Sequence, residues 1–160
     1  MREITIEATL TVFEDYNELP DSAQLLMNRA SEARLKAYAP YSKFLVGAAI
    51  LLDNGSVVTG NNQENASYPS GLCAERTAIY YAGSQYPDAK IVTMALIAGS
   101  LNQKTTSPIP PCGACRQAIS EYEVKQGTPI ELYFMGETGQ VIKSPSLANL
   151  LPLAFDRRFL

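Results

Sequence analysis

From residue 44 to residue 52 the chain is apolar without a break apart from Gly47, and Asp53-Asn54-Gly55 follows at once. Such a run is too short for a long buried helix and suits a buried strand. Asn54 and Gly55 tolerate positive φ, so the chain turns there and residues 56–61 return as the hairpin partner. Residues 91–98, apolar apart from Thr93, are read as a third buried strand. Two more strands are expected at 129–135 and 140–144, with Gly136-Glu137-Thr138-Gly139 between them. Helical spacing separates these runs. Pro20-Asp21-Ser22 starts a helix reaching about Tyr38, with Leu25, Leu26, Ala30, Ala33 and Ala37 near one face. A second helix is expected at 72–81, ended by Gly83, a third at 112–122 after Pro110-Pro111, and a short one at 146–151. After the first hairpin, strands and helices alternate, which predicts a three-layer α/β domain with a mixed sheet.

Before that domain lies a segment of a different kind. Ile4, Ile6, Ala8, Leu10 and Val12 alternate with Thr5, Glu7, Thr9 and Thr11. A period of two reads as a strand over 3–13 with one wet face. The expected organisation is an extension at 1–20 carrying one strand, followed by a single domain at 21–160. A chain of 160 residues, 46% of them hydrophobic, builds one core without staples and not comfortably two.

Charge narrows the partners. The net charge is -3 and no run of Lys or Arg occurs. An acidic chain repels phosphate backbones and anionic membranes, so neither nucleic acid nor a membrane is expected as a partner. The first residues lack the apolar stretch of a signal peptide, and no apolar run reaches the length of a membrane helix. A cytoplasmic location is the expectation.

The chain has three cysteines and no histidine. An odd cysteine count argues against a disulfide framework. The lack of histidine removes the usual general base and the commonest metal ligand, so acid–base chemistry falls to a carboxylate, Tyr, Lys or Cys. The cysteines occur in two segments, Cys73-Ala74-Glu75-Arg76 and Pro111-Cys112-Gly113-Ala114-Cys115-Arg116, each where a loop enters an expected helix. Helix N-termini stabilise thiolates, and Cys112 and Cys115, three apart, share a helix face. Three protein ligands leave one position of tetrahedral zinc open, as in catalytic sites, whereas a structural site is closed by four. Arg76, and alternatively Arg116, could donate to the sulfurs and offset their charge. Glu75, two residues after Cys73, can stand beside a metal-activated water and move its proton. Singly, each signal has a plainer reading: a redox Cys-x-x-Cys pair, a buried cysteine, a solvated glutamate. Their coincidence at two helix starts favours catalytic zinc.

The pattern Cys73-x-Glu75 followed by Pro111-Cys112-x-x-Cys115 resembles the zinc nucleobase deaminase signature, with Cys in place of His. Residues 39–49 (Ala-Pro-Tyr-Ser-Lys-Phe-Leu-Val-Gly-Ala-Ala) and 60–68 (Gly-Asn-Asn-Gln-Glu-Asn-Ala-Ser-Tyr) are similar to segments of the small cytidine deaminases. The resemblance spans roughly 25–160. It implies the three-layer α/β/α fold of that family, with a mostly five-stranded mixed sheet, to which the N-terminal strand is an addition. It implies one Zn2+ per subunit on Cys73, Cys112 and Cys115, with Glu75 as proton shuttle that also holds the base at N3. Ala74 would contact the base through its backbone, Asn62 and Glu64 the ribose 3′-hydroxyl, and Phe44 would pack on the nucleoside. Phe155 and Tyr68 would serve active sites shared within a homotetramer. The implied reaction is hydrolytic deamination of cytidine and 2′-deoxycytidine to uridine and 2′-deoxyuridine in pyrimidine salvage. Three rivals remain: a deaminase of a modified cytosine nucleoside such as blasticidin S, a polynucleotide deaminase, and a non-catalytic zinc module.

Overall fold

A computed structural model describes residues 1–160. One six-stranded sheet has the order β1-β6-β5-β4-β2-β3, from β1 (Thr11–Phe13), β2 (Phe44–Leu52), β3 (Val57–Asn61), β4 (Ile91–Ser100), β5 (Glu131–Met135) and β6 (Val141–Ser144). β4 and β5 are parallel and every other neighbouring pair is antiparallel, so the sheet is mixed as expected. Five strands form the body and β1 is the addition.

Strand alternation sends side chains to two cores. Ala48, Ile50, Met94, Leu96, Leu132 and Phe134 meet α2 (Ala74–Gln85) and α3 (Gly113–Gln126) through Ala78, Ile79 and Ile119. Ala49, Ala95, Ile97, Tyr133 and Met135 face the other way and meet Ala23, Leu26, Met27 and Ala30 of α1 (Asp21–Arg34). Helices therefore cover both faces, giving the three layers. Two glycines let helices sit close. A Cβ at Gly47 would overlap the Ala30 carbonyl oxygen of α1, and one at Gly60 would lie 2.6 Å from both the Ala74 carbonyl oxygen and the Ala78 nitrogen of α2.

Four expectations need correction. The N-terminal strand covers Thr11–Phe13 and not 3–13. Its register pairs Thr11 with Lys143, so Leu10 would face Ser144 and Thr9 would face Pro145, which has no N–H to give. Helix α1 ends at Arg34, short of Tyr38. Helix α2 does not stop at Gly83 but runs on to Gln85. Gly83 is there for packing, because a Cβ would strike the Tyr122 phenol of α3. The last helix is a single 3-10 turn, Leu147–Asn149, started by the Ser146 side chain accepting from the Ala148 amide.

Candidate metal centre and cavity

β3 and β4 both run antiparallel to β2, so they point the same way. The helices that follow them, α2 and α3, therefore begin at the same end of the sheet. Cys73 is the N-cap of α2 and Cys112 the N-cap of α3. Cys115 lies one turn into α3 and is fully buried. The three Sγ atoms lie within 4.8 Å of one another, and those of Cys73 and Cys112 are 3.9 Å apart. Zn–S bonds of about 2.3 Å at tetrahedral angles place sulfurs about 3.8 Å apart. The donor set fits zinc: three soft thiolates, at two helix N-termini, with no further Cys or His to close the shell.

Electrostatics around the sulfurs are uneven. The Cys73 thiol is drawn down to about 5, first by a hydrogen bond from Cys115 and then by the Arg76 guanidinium and Cys112. Cys115 is pushed up, chiefly because it keeps the proton it donates to Cys73. Arg76 Nη2 donates to Cys73 Sγ at 3.6 Å, while its buried Nε has no partner. Arg116 does not join it. Its Nε donates to the Pro111 carbonyl at 2.8 Å and its Nη1 to that of Leu150 at 2.9 Å, so it ties the start of α3 to the C-terminal segment. Spacing alone could not separate the two arginines.

The sulfurs open onto a cavity of about 810 Å³. Phe44, Asn62, Glu64, Tyr68, Cys73, Glu75, Arg76 and Cys112 all line it. Glu75 is 5% exposed, and burial first, then the charge of Cys73, raises its carboxyl pKa. Ala74 is buried behind this wall and does not line it. Asn62 is committed to β2: its Oδ1 accepts from the Val46 amide at 2.8 Å and its Nδ2 donates to the Phe44 carbonyl at 2.9 Å. Glu64 Oε2 accepts from the amides of Tyr41 and Ser42, at 2.8 and 3.3 Å. Its pKa is lowered, the Ser42 hydroxyl being the largest cause. Tyr68 meets Tyr41 edge-on, ring centres 6.3 Å apart.

Phe155 stays off the cavity. It is 59% exposed on the C-terminal segment and stacks on Phe159 at 5.7 Å. The residues that sequence reasoning missed are Tyr41 and Ser42, which hold Glu64 through backbone amides, and Leu96, Ala98, Ile109 and Pro110, which give the cavity apolar wall. Backbone donors leave no mark on residue type, and wall residues look like any other core position.

Residues 20–128 match the family model described as the cytidine and deoxycytidylate deaminase zinc-binding region. A cytidine deaminase of Halalkalibacterium halodurans is 42% identical over 132 residues, covering 82% of this chain and 92% of its own length. One from Sporosarcina psychrophila is 39% identical over 132 residues, covering 82% and 90%. Among solved structures, the cytidine deaminase from Burkholderia pseudomallei superposes with a TM-score of 0.70 at 39% identity, over 86% of this chain and 100% of that one.

Proposed function

The chain belongs to the cytidine and deoxycytidylate deaminase zinc-binding family, and on that premise we propose that it hydrolyses cytidine and 2′-deoxycytidine to the uridines and ammonia. One observation carries the reading. Three thiols converge within 4.8 Å beside the buried carboxyl of Glu75, at the wall of a cavity large enough for a nucleoside.

Cys73, Cys112 and Cys115 would hold zinc, which when bound would supply Lewis acidity for activating water near neutral pH. Glu75 takes one proton from the attacking water and delivers it to N3 of cytosine, which leaves C4 electrophilic. After attack at C4, Glu75 moves the remaining hydroxyl proton to the amino group. The C4–N bond breaks, ammonia departs and the carbonyl of uracil remains, so the two protons of water account for those gained by N3 and by ammonia. A raised pKa suits a carboxylate that must hold a proton as well as release one. Arg76, donating to Cys73, offsets the charge of three thiolates on one dication.

The remaining cavity residues define the sugar end. Phe44 packs on the nucleoside, while Ala74, which does not line the cavity, is assigned a backbone contact to the base by the family resemblance alone. Asn62 and Glu64 meet the 3′-hydroxyl. Asn62 does so from a fixed position, because its amide is pinned to β2, while each of its polar atoms keeps capacity for one more bond. A low-pKa Glu64 repels phosphate, which favours a free nucleoside over a nucleotide. The same argument, with the net charge of -3, disfavours a polynucleotide. Tyr68 and Phe155 are read as contacts to shared sites in a homotetramer, and the exposure of Phe155 away from its own cavity supports this. No helix is long and apolar enough to cross a membrane, and the proposed location is the cytoplasm.

The test is the fall in cytosine absorbance when zinc-loaded protein meets cytidine, with the nucleotide form and a modified nucleoside in parallel. Glu75→Gln should keep one zinc per chain and lose at least a factor of about 100 in turnover, the scale of one positioned acid–base group. Ordinary turnover in that variant would overturn the proton route. Turnover of only the nucleotide would overturn the role given to Glu64.

A further inference from the structure

The family match begins at residue 20, so the first nineteen residues need an explanation of their own. Within them β1 pairs on one side only, with β6, and forms an open edge of the sheet. Before it, residues 1–10 make no backbone-to-backbone hydrogen bond, and only the Thr9 carbonyl is engaged, by the side-chain amide of Asn149 at 3.0 Å. Yet this arm has the alternation of a half-buried strand. Its apolar members stand in the open: Ile4 is 77% exposed, Ile6 52%, Leu10 38% and Val12 49%. A β-patterned segment with unpaired amides and a bare apolar stripe is a template for another strand. Its own chain cannot provide one, because β6 ends at Ser144 with Pro145 after it.

The arm is complementary to itself. Set two copies antiparallel with Ala8 opposite Ala8. Ile4 then faces Val12, Ile6 faces Leu10, and at each end Arg2 faces Glu14. These residues share one side of the ribbon, since all are even-numbered. On the other side Thr5 faces Thr11 and Glu7 faces Thr9, with no like charges opposed. Neighbouring registers are worse. Moving the centre to Glu7 sets Glu7 against Glu7, and moving it to Thr9 sets Glu14 against Ile4. A shift by a single pairing step turns the apolar residues towards threonines or glutamates, except that in one direction Ile4 meets Phe13.

We propose that the N-terminal arm pairs antiparallel with the arm of a second copy of this chain, about Ala8, joining two sheets at their β1 edges. The contact is separate from any assembly made by the matched domain, and it does not depend on the reaction proposed above. Arm pairing satisfies alternate free amides along 3–10, covers the apolar stripe in part, and closes an edge that would otherwise attract unrelated strands.

Light scattering of the zinc-loaded full chain, against a variant lacking residues 1–10, tests the pairing. The full chain should have twice the mass of the shortened one at equal concentration, with the same turnover of cytidine per subunit. Arg2→Glu alone and Glu14→Arg alone should each loosen the arm-dependent step by about tenfold, two symmetry-related pairs being lost at about threefold each. The double reversal should restore it. Equal masses with and without the arm would overturn the proposal. Halved mass without rescue by the double reversal would overturn it as well, because the arm would then be binding a different edge or a different register.

Discussion

Gly60→Ala would test whether the seat of α2 on β3 sets the chemistry. A Cβ there would lie 2.6 Å from the Ala74 carbonyl oxygen and from the Ala78 nitrogen, and 3.0 Å from the Ala78 Cα. All three are backbone atoms in the first turns of a helix, so no side chain can swing aside. Ordinary contact begins near 3.4 Å, so relief needs α2 to withdraw by about 0.8 Å, an overpacking that costs about 1–3 kcal/mol. For a domain of this size that lowers Tm by about 3–9 °C. The displaced segment contains Ala74, with Cys73 on one side and Glu75 on the other, while Cys112 and Cys115 stay with α3. A misplacement approaching 1 Å costs a factor of about 100 in rate. The variant should therefore keep its far-ultraviolet circular dichroism, melt earlier, bind zinc less tightly in a chelator competition and lose most of its kcat. Parental Tm, zinc affinity and kcat together would refute the idea that backbone contact with β3 positions Cys73 and Glu75.

Two further perturbations probe groups outside the cavity. Glu123 accepts from the amides of Ile130, Leu147 and Ala148 and from the Ser146 hydroxyl, at 2.7–3.2 Å, holding α3 to the residue before β5 and to the turn Leu147–Asn149. Glu123→Ala leaves several donors unsatisfied at once, which costs about 3 kcal/mol, and calorimetry should show Tm lower by about 6–12 °C. Glu137 accepts from the Thr105 amide at 3.1 Å and pairs with Arg34 at 2.9 Å, and the amide is the main reason its pKa is lowered. A depressed folded-state pKa stabilises above the unfolded value and is lost as pH falls through the folded one. Glu137→Gln should thus cost about 1 kcal/mol in urea at pH 7, with the gap closing below about pH 4. A gap that persists in acid would show that the charge is not its source.

Much of this protein could be read from local pattern, and the reason is visible in particular residues. The β2–β3 hairpin follows from an apolar run ended by Asn54-Gly55, and positive φ at Gly55 is where the turn needs it. Cys112 and Cys115 sit on one helical turn, so their common direction is a matter of spacing. Where reading failed, a distant partner had decided. The N-terminal alternation is genuine, but a strand needs an edge to pair with, and Pro145 limits that edge to three residues. Gly83 carries the usual mark of a helix end, yet the Tyr122 ring made it an interior packing glycine. Arg76 and Arg116 follow their cysteines at similar distances, and only the course of the C-terminal segment past Leu150 sends Arg116 elsewhere.

The sequence by itself determined the donor set: three thiols, no imidazole, and one carboxylate two residues from the first thiol. Residue type and short spacing suffice for that, because ligand chemistry belongs to the side chain and helical neighbours are local. Tertiary structure alone decided that Cys73, 39 residues before Cys112, would stand 3.9 Å from it. It did so through strand direction: β3 and β4 run alike on either side of β2, so the helices after them start at one end of the sheet. It also decided the depth at which Glu75 lies, through a glycine on β3 that lets α2 sit flush against the strand.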